Sequence, residues 1–389
     1  MVSTPPSRAP SPVPGLAAAA AVVGYAILVL AAEEEMAVGA LLAAGLAIVI
    51  AAGFFGLLRP AVRSFSEREN LLMIVFFSGL VVITGYFHDD HFVLLLIATL
   101  IVYLIVTLGL NVQLGYAGVL NFAGASFFGM GCYTAAVLTA HTAIPHLLIL
   151  AIGGVVAAVL GSVLIFPVLR TRGHYSAVVT IAFALLFKTL LEVNDALGGP
   201  QGMAVGGMRI LGWDFNANLE LGGDVELAFY VNYVVFGLVL LALAFVLVRR
   251  LERSWVGLNL DAVRLDQTAA ACFGFNVPRW KITAFTFGNF LAGLAGAYYA
   301  MMMGFIAPTN FTFGDSLIFL SIVLLGGMGN PWGLVVATAI VVLLPEKLQF
   351  LQEYRFLLYA SLVILILLFR PDGLLPRPPR AYFPGLGRR

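Results

Sequence analysis

Apolar residues in this chain neither alternate nor recur at amphipathic spacing; they run on in long blocks separated by short stretches of charge, glycine and proline. Such blocks fall at about 16–32, 37–58, 71–87, 92–110, 121–140, 146–169, 175–193, 228–248, 282–303 and 354–370. Roughly 20 mostly apolar residues at about 1.5 Å rise cross about 30 Å of hydrocarbon, so each block predicts a membrane-spanning helix. The stretch 316–345 is apolar too, but GGMGNPWG at 326–333 splits it into halves too short to span comfortably, which predicts two short or re-entrant helices. The fold class that follows is all-α: a polytopic integral membrane helical bundle with broken or re-entrant helices.

Composition agrees, with 61% hydrophobic and 11% charged residues and a mean hydropathy of +1.01, which excludes a water-soluble fold. A net charge of +1 says little about partners, so the information lies in where the charges fall. With the N-terminus inside and the spans alternating, seventeen of the 21 lysines and arginines are cytoplasmic, as orientation by positive loops requires. Arg209, Lys347 and Arg355 fall outside, and Lys188 lies within a span. Residues 1–15 read as a disordered cytoplasmic tail, 16–70 as two membrane spans and 377–389 as a basic cytoplasmic tail. The run from Leu16 to Ala32 resembles a signal peptide's core, but the many later spans make it an uncleaved first helix. Two cysteines, Cys132 in a span and Cys272 in an inside loop, form no disulfide framework.

Three segments depart from plain spans. From Gly109 the chain runs GLNVQLGYAGVLNFAGASFFGMGCYTAAVL, where glycines permit close helix approach and Asn111, Gln113, Tyr116 and Asn121 supply polar groups beside Gly115 and Gly118. Two readings stay open there, a packing seam with a short loop at 111–120 and a broken helix lining a solute path. The inside loop 249–281 is the longest on its side; Asn259 is placed to cap a short helix over Asp261 to Cys272 that Gly274 and Pro278 end. That helix carries small residues at Ala269, Ala270 and Ala271 beside Asp261, Arg264 and Asp266, which suits either docking on a soluble partner or resting on headgroups. The outside loop 194–227 is long enough for a small cap or a docking surface, and reads equally as a solvated loop.

Other chemistry is thin. His88, Asp89, Asp90 and His91 are adjacent, a spacing that does not converge ligands on a metal. Lys188 and Glu192, one turn apart, read as an intramembrane pair. The chain carries no Walker A, HExxH or nucleophile-elbow pattern, so it has no catalytic equipment or cofactor motif of its own.

Several motifs in order resemble the LivM-type permease of branched-chain amino acid ABC importers, over roughly 71–376. They are LGLNVQLGYAGVLNFAGASFFGMGCYTAAVL at 108–138, RGHYSAVVTIAF at 172–183, LGGPQGM at 197–203, DAVRLDQTAAACFGFNVPRWKITAF at 261–285, FLAGLAGAYYA at 290–300, LLGGMGNPWG at 324–333 and LFRPDGLL at 368–375. The resemblance implies a permease domain over 71–376 working with two ATPase subunits, a second permease subunit and an extracytoplasmic solute-binding protein in a bacterial inner membrane. It also implies that the segment matching 261–277 docks on the ATPase, with Asp261, Arg264, Asp266, Ala269, Ala270 and Gly274 as coupling residues. Gln267 and Ala271 stand where such permeases often carry acids, and Gly124 where many have histidine. The solute class implied is branched-chain amino acids or similar small polar molecules, with urea or a short amide as the alternative. An ion-coupled transporter, the rival outside this family, needs buried carboxylates or an ion site, and Lys188 with Glu192 is the only such place in the spans.

Overall fold

A computed structural model describes residues 13–54, 69–170, 175–210, 212–220, 226–348 and 352–377. The Pro and Ser rich start, the arginines at 59, 63, 68 and 172, and the tail after Arg377 lie outside the described residues. Helices α1 (Val13–Ala31) and α2 (Glu35–Phe54) are the two N-terminal elements. They are followed by α3 (Glu69–Tyr86), α4 (His91–Asn111), α5 (Gly124–His141), α6 (His146–Arg170), α7 (Tyr175–Val193) and α8 (Tyr230–Arg253). Two short helices, α9 (Trp255–Leu265) and α10 (Gln267–Cys272), precede α11 (Val277–Met303), α12 (Phe313–Gly326), α13 (Pro331–Lys347) and α14 (Arg355–Phe369). The stretch predicted to break at 326–333 is indeed two helices, of 14 and 17 residues. Among the described residues, six helices are long and apolar enough to cross a membrane.

A helix that is apolar all round belongs in the middle of a bundle, and α4 is there, buried at every residue from Leu104 to Asn111. Asp90 caps its start by accepting from Phe92 N and Val93 N, which gives the acidic run at 88–91 a local use. Helix α11 packs along α4, α5 and α6, and α8 packs on α4. The α5, α6 and α11 seam is made of glycine: a Cβ at Gly131 would collide with Gly293 O, and one at Gly293 would lie 2.5 Å from Gly153 O and the Ala157 Cβ. Cys132, a free buried thiol, donates to Gly296 O across this seam (3.1 Å), and Cys272 is free and exposed.

The connections sort onto two faces. On one, β1 (Met203–Ala204) pairs antiparallel with β4 (Phe305–Ile306), Ala228 N donates to His88 O (3.1 Å), and the described part of the loop 194–227 folds onto the bundle. Its short strands β2 (Arg209–Ile210) and β3 (Trp213–Asp214) form a tight hairpin, and Asn232 Nδ2 donates to Phe215 O and Ala217 O (both 3.3 Å). Basic residues on this face have local work. Arg209 pairs with Asp214 (3.1 Å), and Lys347 donates to Leu30 O (2.6 Å) and Ala32 O (3.2 Å), capping the orphan carbonyls at the end of α1. Lys347 thereby ties the N-terminal helices to the bundle, where α1 also leans on α3. The opposite face carries the end of α4, the α12–α13 break, α9, α10 and the segment 370–377. Lys188 and Glu192 form the predicted pair at 3.3 Å, each about one third exposed.

Candidate functional site

At the second face the helical ladder of α4 widens into a π turn over Val112–Tyr116, then leaves helical geometry through Gly118 (φ +65°). Val119 N donates to Gln113 O (2.9 Å) and Gly118 N to Leu114 O (3.2 Å), so the freed carbonyls are satisfied where the chain turns. Both readings left open by the sequence have a counterpart here. The helix is broken, as a lining would need, yet the polar groups face inward. Asn111, Gln113, Tyr116 and Asn121 are buried. Asn121 Nδ2 donates to Gln113 Oε1 (2.8 Å), Gln113 Nε2 donates to Asn289 Oδ1 (2.8 Å) and Phe285 O (3.1 Å), and Ala123 N donates to Asn121 Oδ1 (2.9 Å). In this conformation the amides knit the break to α11.

The α12–α13 break closes on the same place. Gly329 N donates to Asn111 Oδ1 (2.7 Å), and a Cβ at Gly115 would lie 2.5 Å from Gly329 N. Two helix interruptions distant in sequence therefore pack backbone against backbone, which needs glycine on both sides. Asn330 caps α13 with Pro331 at its first position, so the second interruption is built to restart a helix.

The loop 249–281 differs from its prediction in two ways. Asn259 caps nothing: it lies within α9, buried, with Nδ2 on Trp255 O (2.9 Å), and Ser254 is the cap instead. The single helix expected over Asp261 to Cys272 is two, because Asp266 has extended backbone and its carboxylate accepts from Thr268 N (2.8 Å) and Ala269 N (3.0 Å), starting α10 afresh. Gly274 ends α10 as predicted, at φ +84°, with Phe275 N on Ala270 O and Gly274 N on Ala271 O (both 3.0 Å), a Schellman closure.

Burial divides the six residues proposed for coupling. Arg264, Asp266, Ala269 and Gly274 are exposed. Ala270 is buried, because the three-alanine surface turns its middle residue inward, and Asp261 is buried in an ion pair. The exposed prominence is instead apolar: Leu265 is 82% exposed and Phe273 84%, one on either side of α10. A leucine between Arg264 and Asp266 in a polar loop was a signal for it that a reading centred on alanines passes over. The prominence is firmly backed. Trp255 meets Trp280 edge to face (5.2 Å), and Lys281 Nζ donates to Gln267 Oε1 (3.0 Å).

The two groups that the sequence treats separately also meet, since Gly118 lies against Arg264, about where a Cβ would touch its Cγ at 3.5 Å. Between them lies Arg377, which the charge pattern places in the tail. Its guanidinium forks onto Asp261 (2.6 and 3.1 Å), reaches Glu252 (3.6 Å) and stacks over the Tyr116 ring (4.6 Å). Burial alone would lower the Arg377 pKa, but hydrogen bonds and charge from Asp261, with Tyr116 and Glu252 behind, hold it above its ordinary value.

One expectation follows for the amide network. Asn121→Leu leaves Gln113 Oε1 and Ala123 N buried without their partner, at about 1–3 kcal/mol each. The variant is expected to melt earlier in detergent and to accumulate to lower levels. Wild-type melting with reduced uptake would instead mean that Asn121 meets the solute.

Comparison with known proteins fits this architecture. The family model for the branched-chain amino acid transport system / permease component matches residues 92–369. The high-affinity branched-chain amino acid transport system permease protein LivM of Escherichia coli is 36% identical over 294 residues, covering 72% of this chain and 69% of that protein. The probable LivM of Methanocaldococcus jannaschii is 25% identical over 332 residues, covering 71% and 91%. The LivH permease protein of Escherichia coli is 23% identical over 291 residues, covering 71% and 92%. No solved structure matches the chain. The match begins at α4 and runs through α14, so it takes in both helix interruptions and the α9–α10 prominence, and on that extent the chain belongs to the branched-chain amino acid transport permease family.

Proposed function

We propose that the chain is the transmembrane permease subunit of an ABC importer that moves branched-chain amino acids or similar small polar solutes into the cytoplasm. Energy comes from two ATPase subunits, with a second permease subunit and an extracytoplasmic solute-binding protein completing the assembly. The observation that carries this reading is the α9–α10 prominence: two large apolar side chains, Leu265 and Phe273, exposed on a charge-flanked hook. A subunit driven from outside needs a stiff contact of this kind, and exposed apolar anchors ringed by polar groups are the usual centre of a protein interface. The hook face is cytoplasmic and both termini are inside, a reading supported by the excess of lysine and arginine on that side. Arg264, Asp266, Ala269 and Gly274 rim the contact, while Asp261 and Ala270 support it from within. The interruptions at 112–123 and 326–330 are the moving part near the cytoplasmic end of the solute path, closed in this conformation by Gly115 against Gly329.

The test is to purify the chain by affinity from its native membrane and measure uptake in vesicles. Two ATPase subunits and a second permease are expected to come down with it, and uptake to need ATP. A cysteine replacing the exposed Thr268 is expected to label only from the cytoplasmic side. Uptake that continues without an ATPase and collapses with the ion gradient would overturn the reading.

A further inference from the structure

The segment 370–377 follows α14; its RPDGLL belongs to the last of the motifs in the sequence, which says nothing of where the segment lies, and Arg377 opens the basic tail. In the structure it is a strap laid across the second face. Leu374 N donates to Leu325 O (2.8 Å) and Leu375 N to Gly326 O (3.1 Å), so the strap satisfies the last carbonyls of α12. Asn330 Nδ2, on the far side of the break, donates to Leu375 O (3.1 Å). Left-handed glycines, Gly327 at φ +109° and Gly373 at φ +83°, bring the two backbones together. The strap thus holds both lips of the α12–α13 interruption.

Its last described residue then joins that interruption to everything around it. Arg377 packs its Cδ on Gly329, its guanidinium face on Tyr116 at the end of α4, and its donors on Asp261 of α9 and Glu252 of α8. Glu252 is braced in turn by Arg249 (3.2 Å). A surface ion pair would be worth little and would slip under load, but this fork is only 14% exposed and two-pronged, a geometry that fixes direction as well as distance. A displacement of α9 cannot leave Arg377 behind without stranding a buried carboxylate.

We propose that Arg377 is the positioning residue that transmits movement of the α9–α10 hook to the two helix interruptions, so that removing it uncouples ATP hydrolysis from solute movement. This rests on the reading of the chain as an ATPase-driven permease and adds the route by which the drive arrives. The strap acts as a linkage: the hook pulls Asp261, Asp261 carries Arg377, and Arg377 moves with Gly329 and Tyr116. In this linkage Arg377 acts through Tyr116 and Gly329, so its effect falls on coupling and not on solute affinity.

The experiment uses the complete assembly, with both permeases, both ATPases and the binding protein, in proteoliposomes. ATP hydrolysis and uptake are measured in the same vesicles. The main variant is R377K, which keeps a positive charge beside Asp261 and loses the fork, so the buried carboxylate keeps a cation. It is expected to keep ATP hydrolysis near wild type while uptake per ATP falls about tenfold, the scale of an allosteric coupling between two sites. The solute concentration for half-maximal uptake is expected to stay unchanged. R377Q, which loses charge and fork and keeps one amide donor toward Asp261, is expected to show at least the same fall, and decides the matter if R377K fails to insert. A wild-type ratio of uptake to ATP in the folded variants overturns the linkage, as does a proportional loss of both activities. Wild-type vesicles that import solute without ATP would overturn the permease reading and the linkage with it, a result the variants alone cannot mimic.

Discussion

A permease carrying Gly296→Leu is expected to disappear from the membrane fraction, the largest loss of any single substitution in the bundle. Gly296 lies on α11 where a Cβ would run into Phe128 O and lie 3.1 Å from Cys132 N, so the obstacle is backbone and cannot rotate away. Neighbouring glycines leave no slack: Gly131 is pressed on Gly293 O, and a Cβ at Gly153 would lie 2.8 Å from the Ala297 Cβ. In lipid, helices associate through close packing and not through a hydrophobic drive, since the surrounding chains are as apolar as the side chains. Overpacking typically costs about 1–3 kcal/mol. Here separating α5 from α11 would forfeit the seam along its length, so the upper end of that range or more is expected. Gly24→Leu on α1, where nothing lies within 4 Å, is the matched control and is expected to accumulate normally. Membrane abundance by quantitative blotting compares the two, and equal abundance would show that the seam tolerates a side chain.

The second large effect is expected at the hook, in function and not in folding. Phe273→Asp combined with Leu265→Asp changes side chains that are almost fully exposed, so the permease itself should insert and melt as wild type. Loss of two central apolar anchors is expected to weaken ATPase recruitment by tenfold or more, about what truncation of one interface hot spot does, and to abolish solute-stimulated hydrolysis. Ala270→Glu behaves differently despite being three residues away. It forces a carboxylate into a buried position and is expected to destabilise α10, so its loss of transport would not identify a docking face. Gly274→Val is intermediate, with open space around it but a left-handed φ that costs a branched residue about 1–2 kcal/mol. Copurified ATPase per permease measures recruitment directly. Full recruitment by the double aspartate variant would mean that Leu265 and Phe273 rest in the headgroup region.

The sequence by itself determined what the membrane imposes. Apolar helices in series and the break at 326–333 follow from apolar length and helix-breaking residues, because a segment crossing hydrocarbon alone must satisfy its backbone within the helix, yet among the described residues six helices and not ten are long and apolar enough to cross. The left-handed stop at Gly274 was equally legible, since only local geometry sets it. Tertiary structure decided which side of each element faces the protein, and with it the content of the candidate site. In the short helices α9 and α10 the three alanines read alike, so the sequence did not tell that Ala270 turns in while Phe273 turns out, and Leu265 between Arg264 and Asp266 was the one signal of the exposed face. Nor could spacing show that Asn121, Gln113 and Asn289 share hydrogen bonds across 168 and 176 positions of chain. Arg377 is the clearest case. In sequence it is one more positive charge after the last span, and a charge count treats all of these alike. Only the fold brings Asp261 from α9, Glu252 from α8 and Tyr116 from α4 to one point, where a guanidinium satisfies carboxylates that burial would otherwise make costly.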